Sequence, residues 1–174
     1  MVEIGALPAG LLDRLGPRAA RAFGLSLAPT RPGLDPAPAH DPQRRQLLAS
    51  RLLAELARFP AAHVVGVAAA ALFDPVLSFV FGEAEFPGRA AVFSIHRLRE
   101  EFYGLPPRFD LLLARATKEM LHELGHTFGL THCRDAACVM SSSHSVEAVD
   151  RKGEGFCRRC ADLVAAYHRG AGSG

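Results

Sequence analysis

Apolar residues along this chain fall into alternating helical and extended patterns. Val2 to Leu7 reads as a short strand and Leu11 to Phe23 as a helix, with a second strand near Leu25 to Ala28. Arg31 to Pro42 is proline-rich and reads as a loop. In Gln43 to Phe59, Leu47, Leu48, Leu52, Leu53 and Leu56 make one helical stripe, which Pro60 ends. His63 to Phe73 is apolar and begins with valines, the pattern of a buried strand. Asp74-Pro75 marks a turn, Leu77 to Phe81 another strand, and Phe86-Pro87-Gly88 another turn. Ala90 to Leu98 follows as a third strand of alternating character.

Asp110 to Phe128 then reads as a long helix with Asp110 as its N-cap. Leu111, Leu112, Leu113, Ala116, Met120, Leu121 and Leu124 form its core face. A last helix spans Cys160 to His168, and Gly170 to Gly174 reads as a disordered tail. Strands before and between helices predict an α/β (α+β) fold with a mixed sheet. The 174 residues suffice for one domain, expected over residues 1–169.

The long helix carries chemistry. In HELGHTFGLTHC, His122 and His126 are four apart and share a helix face, with Glu123 between them. Gly129 can take a left-handed backbone, end the helix and turn His132 back toward the other two. Three neutral imidazoles around zinc leave a fourth position open, the layout of a catalytic site. Glu123 stands beside that site, as a general base for water attacking a peptide carbonyl. HExxHxxGxxH with a following methionine, here Met140, is the metzincin signature. Cys133, Cys138, Cys157 and Cys160 form C-x4-C and C-x2-C pairs, suited to a closed structural zinc.

Charge and composition narrow the picture. The net charge of +2 gives no electrostatic case for nucleic acid, and the only lysines in an arginine-rich chain are Lys118 and Lys152. The start of the chain has no basic signal region, and the longest apolar run, Val64 to Phe73, is too short to cross a bilayer. A cytoplasmic, non-membrane protein is expected, in which grouped cysteines bind metal rather than form disulfides. Arg151 to Gly155 reads as a solvated loop. His96, His144 and Tyr103 are weaker candidates for the cleft; solvated or core-satisfied positions are the commoner fate of such histidines.

With both metal patterns in view, the chain resembles the archaemetzincins, peptidase family M54. The resemblance rests on HELGHTFGLTHC, CVM and CRRC, and above all on the adjacency of His132 and Cys133. FVFGEAEF and AAVFSIHRL add to it less specifically. It implies a compact metzincin domain with a twisted mixed sheet, a long active-site helix and a C-terminal helix. It also implies two zincs per chain, one catalytic on His122, His126 and His132 and one structural on Cys133, Cys138, Cys157 and Cys160. Glu123 would be the base, Met140 the Met-turn residue, and the substrate a peptide or protein. An edge strand, with Ala90 to Leu98 as the candidate, would pair with extended substrate. The alternative is a zinc-stabilised binding or scaffold protein without hydrolysis.

Overall fold

The computed structural model describes residues 1–25 and 29–171. It begins with β1 (Val2–Ile4) and α1 (Leu11–Phe23), followed by β2 (Thr30–Leu34), a 3-10 turn at Ala37–Ala39, β3 (His40–Asp41) and β4 (Gln46–Leu48). Next come α2 (Ala49–Leu56), β5 (Val64–Ala68), β6 (Leu72–Phe73), β7 (Gly82–Ala84) and β8 (Ala90–Ser94). Two 3-10 turns at His96–Leu98 and Glu100–Tyr103 lead to α3 (Phe109–Thr127), α4 (Val146–Arg151) and α5 (Arg158–Ala171).

The main sheet has the order β2-β1-β5-β8-β7. Its first four strands are parallel and β7 runs antiparallel to β8, so the sheet is mixed, as expected. Both faces are covered. Val65, Val67, Ala91 and Phe93 point into a core shared with α1 and α3. Val64, Ala68, Ala90 and Val92 point the other way, into a core shared with α2. A small sheet, β3-β4-β6, flanks the second core.

This double burial corrects the reading of Ala90 to Leu98 as an edge strand. β8 is buried along its whole length and lies between β5 and β7. Central strands buried on both faces read as continuous apolar runs, and AAVF is one. The cleft-side edge is β7, a three-residue strand that the pattern does not reveal. Leu77 to Phe81, read as a strand, makes only an isolated bridge from Val80 to Leu72. Asp74 bends the chain ahead of it by accepting the Val76 N–H, and Val76 and Leu77 are exposed.

Other boundaries move for local reasons. The proline-rich loop contains β2, which lies at the sheet edge, where a residue without an N–H is tolerated. The helix read over Gln43 to Phe59 starts only at Ala49. Asp41 Oδ1 accepts from the N–H groups of Gln43 and Arg44, Arg45 takes φ 55°, and Gln46–Leu48 then extend as a strand. His63 to Phe73 splits into β5 and β6. Asp110 lies in the first turn of α3; the N-cap position is Arg108, with no side-chain cap. α4, capped by Ser145, was not expected, and α5 includes Gly170 and Ala171. The strand expected at Leu25 to Ala28 falls mostly outside the described residues, as do residues 172–174.

α3 is the element that positions the site. It packs against β8, β7 and α1, and it buries polar residues as well as apolar ones. Arg115, on this helix, is nearly inaccessible. It donates to both oxygens of Asp150 at 2.7 Å, to Glu100 at 2.8 Å and to the Leu98 carbonyl at 3.0 Å. These bonds tie α4 and the turn before α3 to the helix that carries the histidines.

Candidate metal centres and their cleft

α3 ends in a Schellman arrangement. Leu130 N donates to Gly125 O at 3.0 Å and Gly129 N to His126 O at 2.9 Å, with Gly129 at φ 81°. The turn reverses the chain and brings the His132 ring to 5.2 Å from the His122 ring and 5.1 Å from the His126 ring. One ligand nitrogen from each of the three lies within 4.8 Å of the others.

The hydrogen bonds assign the tautomers. His122 Nδ1 donates to the Val139 carbonyl at 3.0 Å, and His126 Nδ1 donates to the Leu130 carbonyl at 2.7 Å. In the neutral rings both Nε2 atoms therefore carry lone pairs, and these nitrogens are 3.2 Å apart. Two acceptors facing each other at that distance call for a cation between them. Burial, followed by the charge of Lys152, pushes His122 well below the usual histidine range. Burial is also the main cause of the lowered values of His126 and His132. All three rings thus favour the neutral form that binds metal.

Glu123 is buried beside these rings, and a Cβ on Gly82 of β7 would collide with its carboxyl. Burial, with the Glu119 carboxylate next, drives its carboxyl well above the ordinary range. A bound dication is the opposite charge that would offset this penalty. The three imidazoles and one carboxyl fit a metal with an adjacent acid–base group.

The second cluster is made of sulfur. Cys133, Cys138, Cys157 and Cys160 bring their Sγ atoms within 4.8 Å of one another. All four are free, and the Cys133–Cys157 separation of 3.8 Å is far from a disulfide bond length. Cys138 Sγ also accepts the Cys157 N–H at 3.3 Å. Burial and then the neighbouring sulfurs push the Cys160 thiol up, while the backbone N–H of Cys160 lowers Cys157. Four crowded sulfurs without a free coordination position suit a closed tetrahedral zinc. The clusters touch through the backbone, since Cys133, next to His132, donates its N–H to Met140 O at 2.9 Å. Met140 is fully buried, and its sulfur packs on Gly125, between His122 and His126 in α3.

Two cavities open onto the histidines and share Gly82, His122, Glu123 and His132. One, of about 300 Å³, lies between Leu77–Gly82 and Ser142–His144; the other, of about 400 Å³, lies under Phe86 and His126. Together they make one cleft along β7. Of the weaker candidates, His144 lines the first cavity, with its Nε2 3.3 Å from Ser142 Oγ. His96 packs on Phe102 and lines neither cavity. Tyr103 donates to the Arg97 carbonyl at 3.0 Å and is likewise absent from the lining.

The sequence reading missed Glu119 and Lys152. Lys152 is buried, not solvated, and its Nζ lies 2.8 Å from Glu119 Oε1. The available signal was its rarity, as one of two lysines among eighteen arginines.

The cleft, its three imidazoles and its buried carboxyl on this mixed α/β fold have the layout of a metallopeptidase site. The profile of peptidase family M54 matches residues 55–166. The archaemetzincin of Methanopyrus kandleri is 47% identical over 131 residues, which cover 74% of this chain and 71% of that protein. The archaemetzincin of Methanocaldococcus jannaschii is 50% identical over 97 residues, 56% of this chain and 54% of the relative. The crystal structure of the Methanopyrus kandleri archaemetzincin superposes with a TM-score of 0.82 at 38% identity, covering 97% of this chain and 96% of that one. A zinc-dependent peptidase from Methanocorpusculum labreanum gives a TM-score of 0.85 at 27% identity, covering 94% and 100%. The chain belongs to peptidase family M54. Membership favours hydrolysis over the scaffold alternative.

Gly125 gives a direct check on the packing. Gly125→Ala places a methyl group against Met140 Sδ and should cost about 1–3 kcal/mol by overpacking. Urea unfolding of the metal-loaded protein measures this; an unchanged midpoint would show that the methionine loop does not press on the helix.

Proposed function

We propose that the chain hydrolyses peptide bonds with His122, His126 and His132 holding one zinc and Cys133, Cys138, Cys157 and Cys160 holding a second, structural one. The observation that carries this reading is the pair of unprotonated Nε2 atoms facing each other at 3.2 Å beside a buried carboxyl. When bound, the catalytic zinc supplies Lewis acidity that polarises water and the scissile carbonyl. Glu123 takes the proton of the attacking water and returns it to the departing amine. The Val139 and Leu130 carbonyls hold two of the rings in the tautomer that presents Nε2. Met140 is the Met-turn residue, an apolar support beneath the helix face.

Peptides or proteins are the substrates, laid in extended form along the β7 edge, with Gly82 leaving room for Glu123. Nucleic acid and membrane are not partners; the net charge of +2 supports the first exclusion. No helix among the described residues is long and apolar enough to cross a membrane. Free, clustered cysteines support a reducing, cytoplasmic setting. Both clusters belong to one domain, which extends to the end of α5 at Ala171.

Glu123→Gln should retain zinc and lose hydrolysis by roughly 10²- to 10⁴-fold in kcat. Cleavage at the parent rate by the zinc-loaded variant, followed on a peptide mixture by mass spectrometry, would contradict the assigned base. Cys133→Ser should weaken zinc at the histidines roughly tenfold although it removes none of their nitrogens, because it removes one of the four sulfurs that would restrain the loop carrying His132. Chelator competition reads this, and equal affinity in variant and parent would disconnect the two centres.

A further inference from the structure

The 300 Å³ cavity on one side of the histidines has a distinct chemistry. Leu77, Phe79, Val80 and Phe81 make one wall apolar. Ser142, Ser143 and His144 make the opposite wall polar, and Glu119 of α3 lies in the lining, one helical turn before His122 and Glu123. Ser143 Oγ of this lining is buried without a hydrogen bond. The Lys152 ammonium lies 2.8 Å from Glu119 Oε1 and is the ion-pair partner of that oxygen. Lys152 is not part of the lining. Its Nζ reaches back to the Ser141 carbonyl at 3.5 Å, so it braces the wall segment against α3 from behind. A buried hydroxyl without a partner is costly, and the Glu119 carboxyl in the same wall adds an acceptor, so the cavity suits a side chain that ends in a donor.

We propose that this cavity takes the side chain of a lysine or arginine flanking the scissile bond, and that Glu119 is the residue that selects it. The methylene stem lies along Leu77, Phe79 and Phe81, and the cationic end donates to Glu119 and Ser143. An anionic side chain would meet the Glu119 carboxylate instead. An apolar one would leave Ser143 Oγ unpaired. Charge-assisted hydrogen bonds of this kind discriminate roughly ten- to hundredfold. Lys152 is a positioning residue; it offsets the buried carboxylate and fixes the distance between the walls. The inference rests on the metallopeptidase reading, because it names the side chain presented to that site.

The test uses the zinc-loaded full chain and two readouts. In a peptide library varied on both sides of the cut, lysine and arginine should exceed norleucine by at least tenfold in kcat/KM at one flanking position. Independently of cleavage, lysine hydroxamate should bind at least tenfold more tightly than norleucine hydroxamate by calorimetry. Glu119→Gln alone leaves Lys152 buried without its counter-charge, so the informative variant combines it with Lys152→Met. In that double variant both ratios should fall to within about twofold. Equal or better use of norleucine or glutamate by the parent, or a basic preference that survives in the double variant, would overturn the proposal. Cleavage without basic preference leaves the peptidase reading standing and removes this one. Hydroxamate discrimination without any cleavage does the reverse.

Discussion

The rest of the structure answers one constraint: α3 buries charged and polar side chains on a helix packed into the core. A buried polar group must find a partner, and a buried charge must find a counter-charge. Each partner comes from a different part of the chain. Arg115 is met by Glu100 and Asp150, Glu119 by Lys152, His122 by the Val139 carbonyl and His126 by the Leu130 carbonyl. The chain after α3 folds back over the helix, and these bonds hold it there. Met140 comes close enough to touch the helix backbone because position 125 has no side chain. Glu123 is the exception. Among the described residues it receives no hydrogen bond or ion pair, and its carboxyl is destabilised as a charge. An uncompensated acid next to three neutral imidazoles is the arrangement that metal and substrate complete.

The two clusters are parts of one device. The loop from Leu130 to Met140 supplies a carbonyl to each of two imidazoles, the third imidazole, two cysteines and the buried methionine. Val139 N donates to Gly155 O and Gly153 N to Ala137 O, which fastens this loop to the segment leading into Cys157. A metal held by the sulfurs, as proposed, would restrain this loop, and His132 lies one residue from the first of them.

The gathering of the three histidines was legible in the sequence because it depends on local spacing. Helical periodicity puts His122, Glu123 and His126 together, and Gly129 followed by His132 closes the turn within a few residues. The helices α1 and α3 were legible for the same reason, within a residue or so at each end. The cleft wall was not. β7 is three residues long, and it is an edge only because β8, which reads as an alternating strand, lies inside the sheet. Lys152 reads as part of a polar loop, since its partner lies 33 residues earlier on a helix face that looks merely charged. Pairings across such distances leave no periodic trace, so the specificity of the cleft had to come from three dimensions.

The central claim is that this chain holds two separate metals, one on imidazoles and one on thiolates. Native mass spectrometry of the zinc-loaded protein and two variants tests it most directly. The parent should carry two zincs per chain. His126→Ala should retain only the sulfur-bound zinc, and Cys160→Ser should lose that one first. Two zincs retained in His126→Ala, or a single zinc in the parent, would contradict the account.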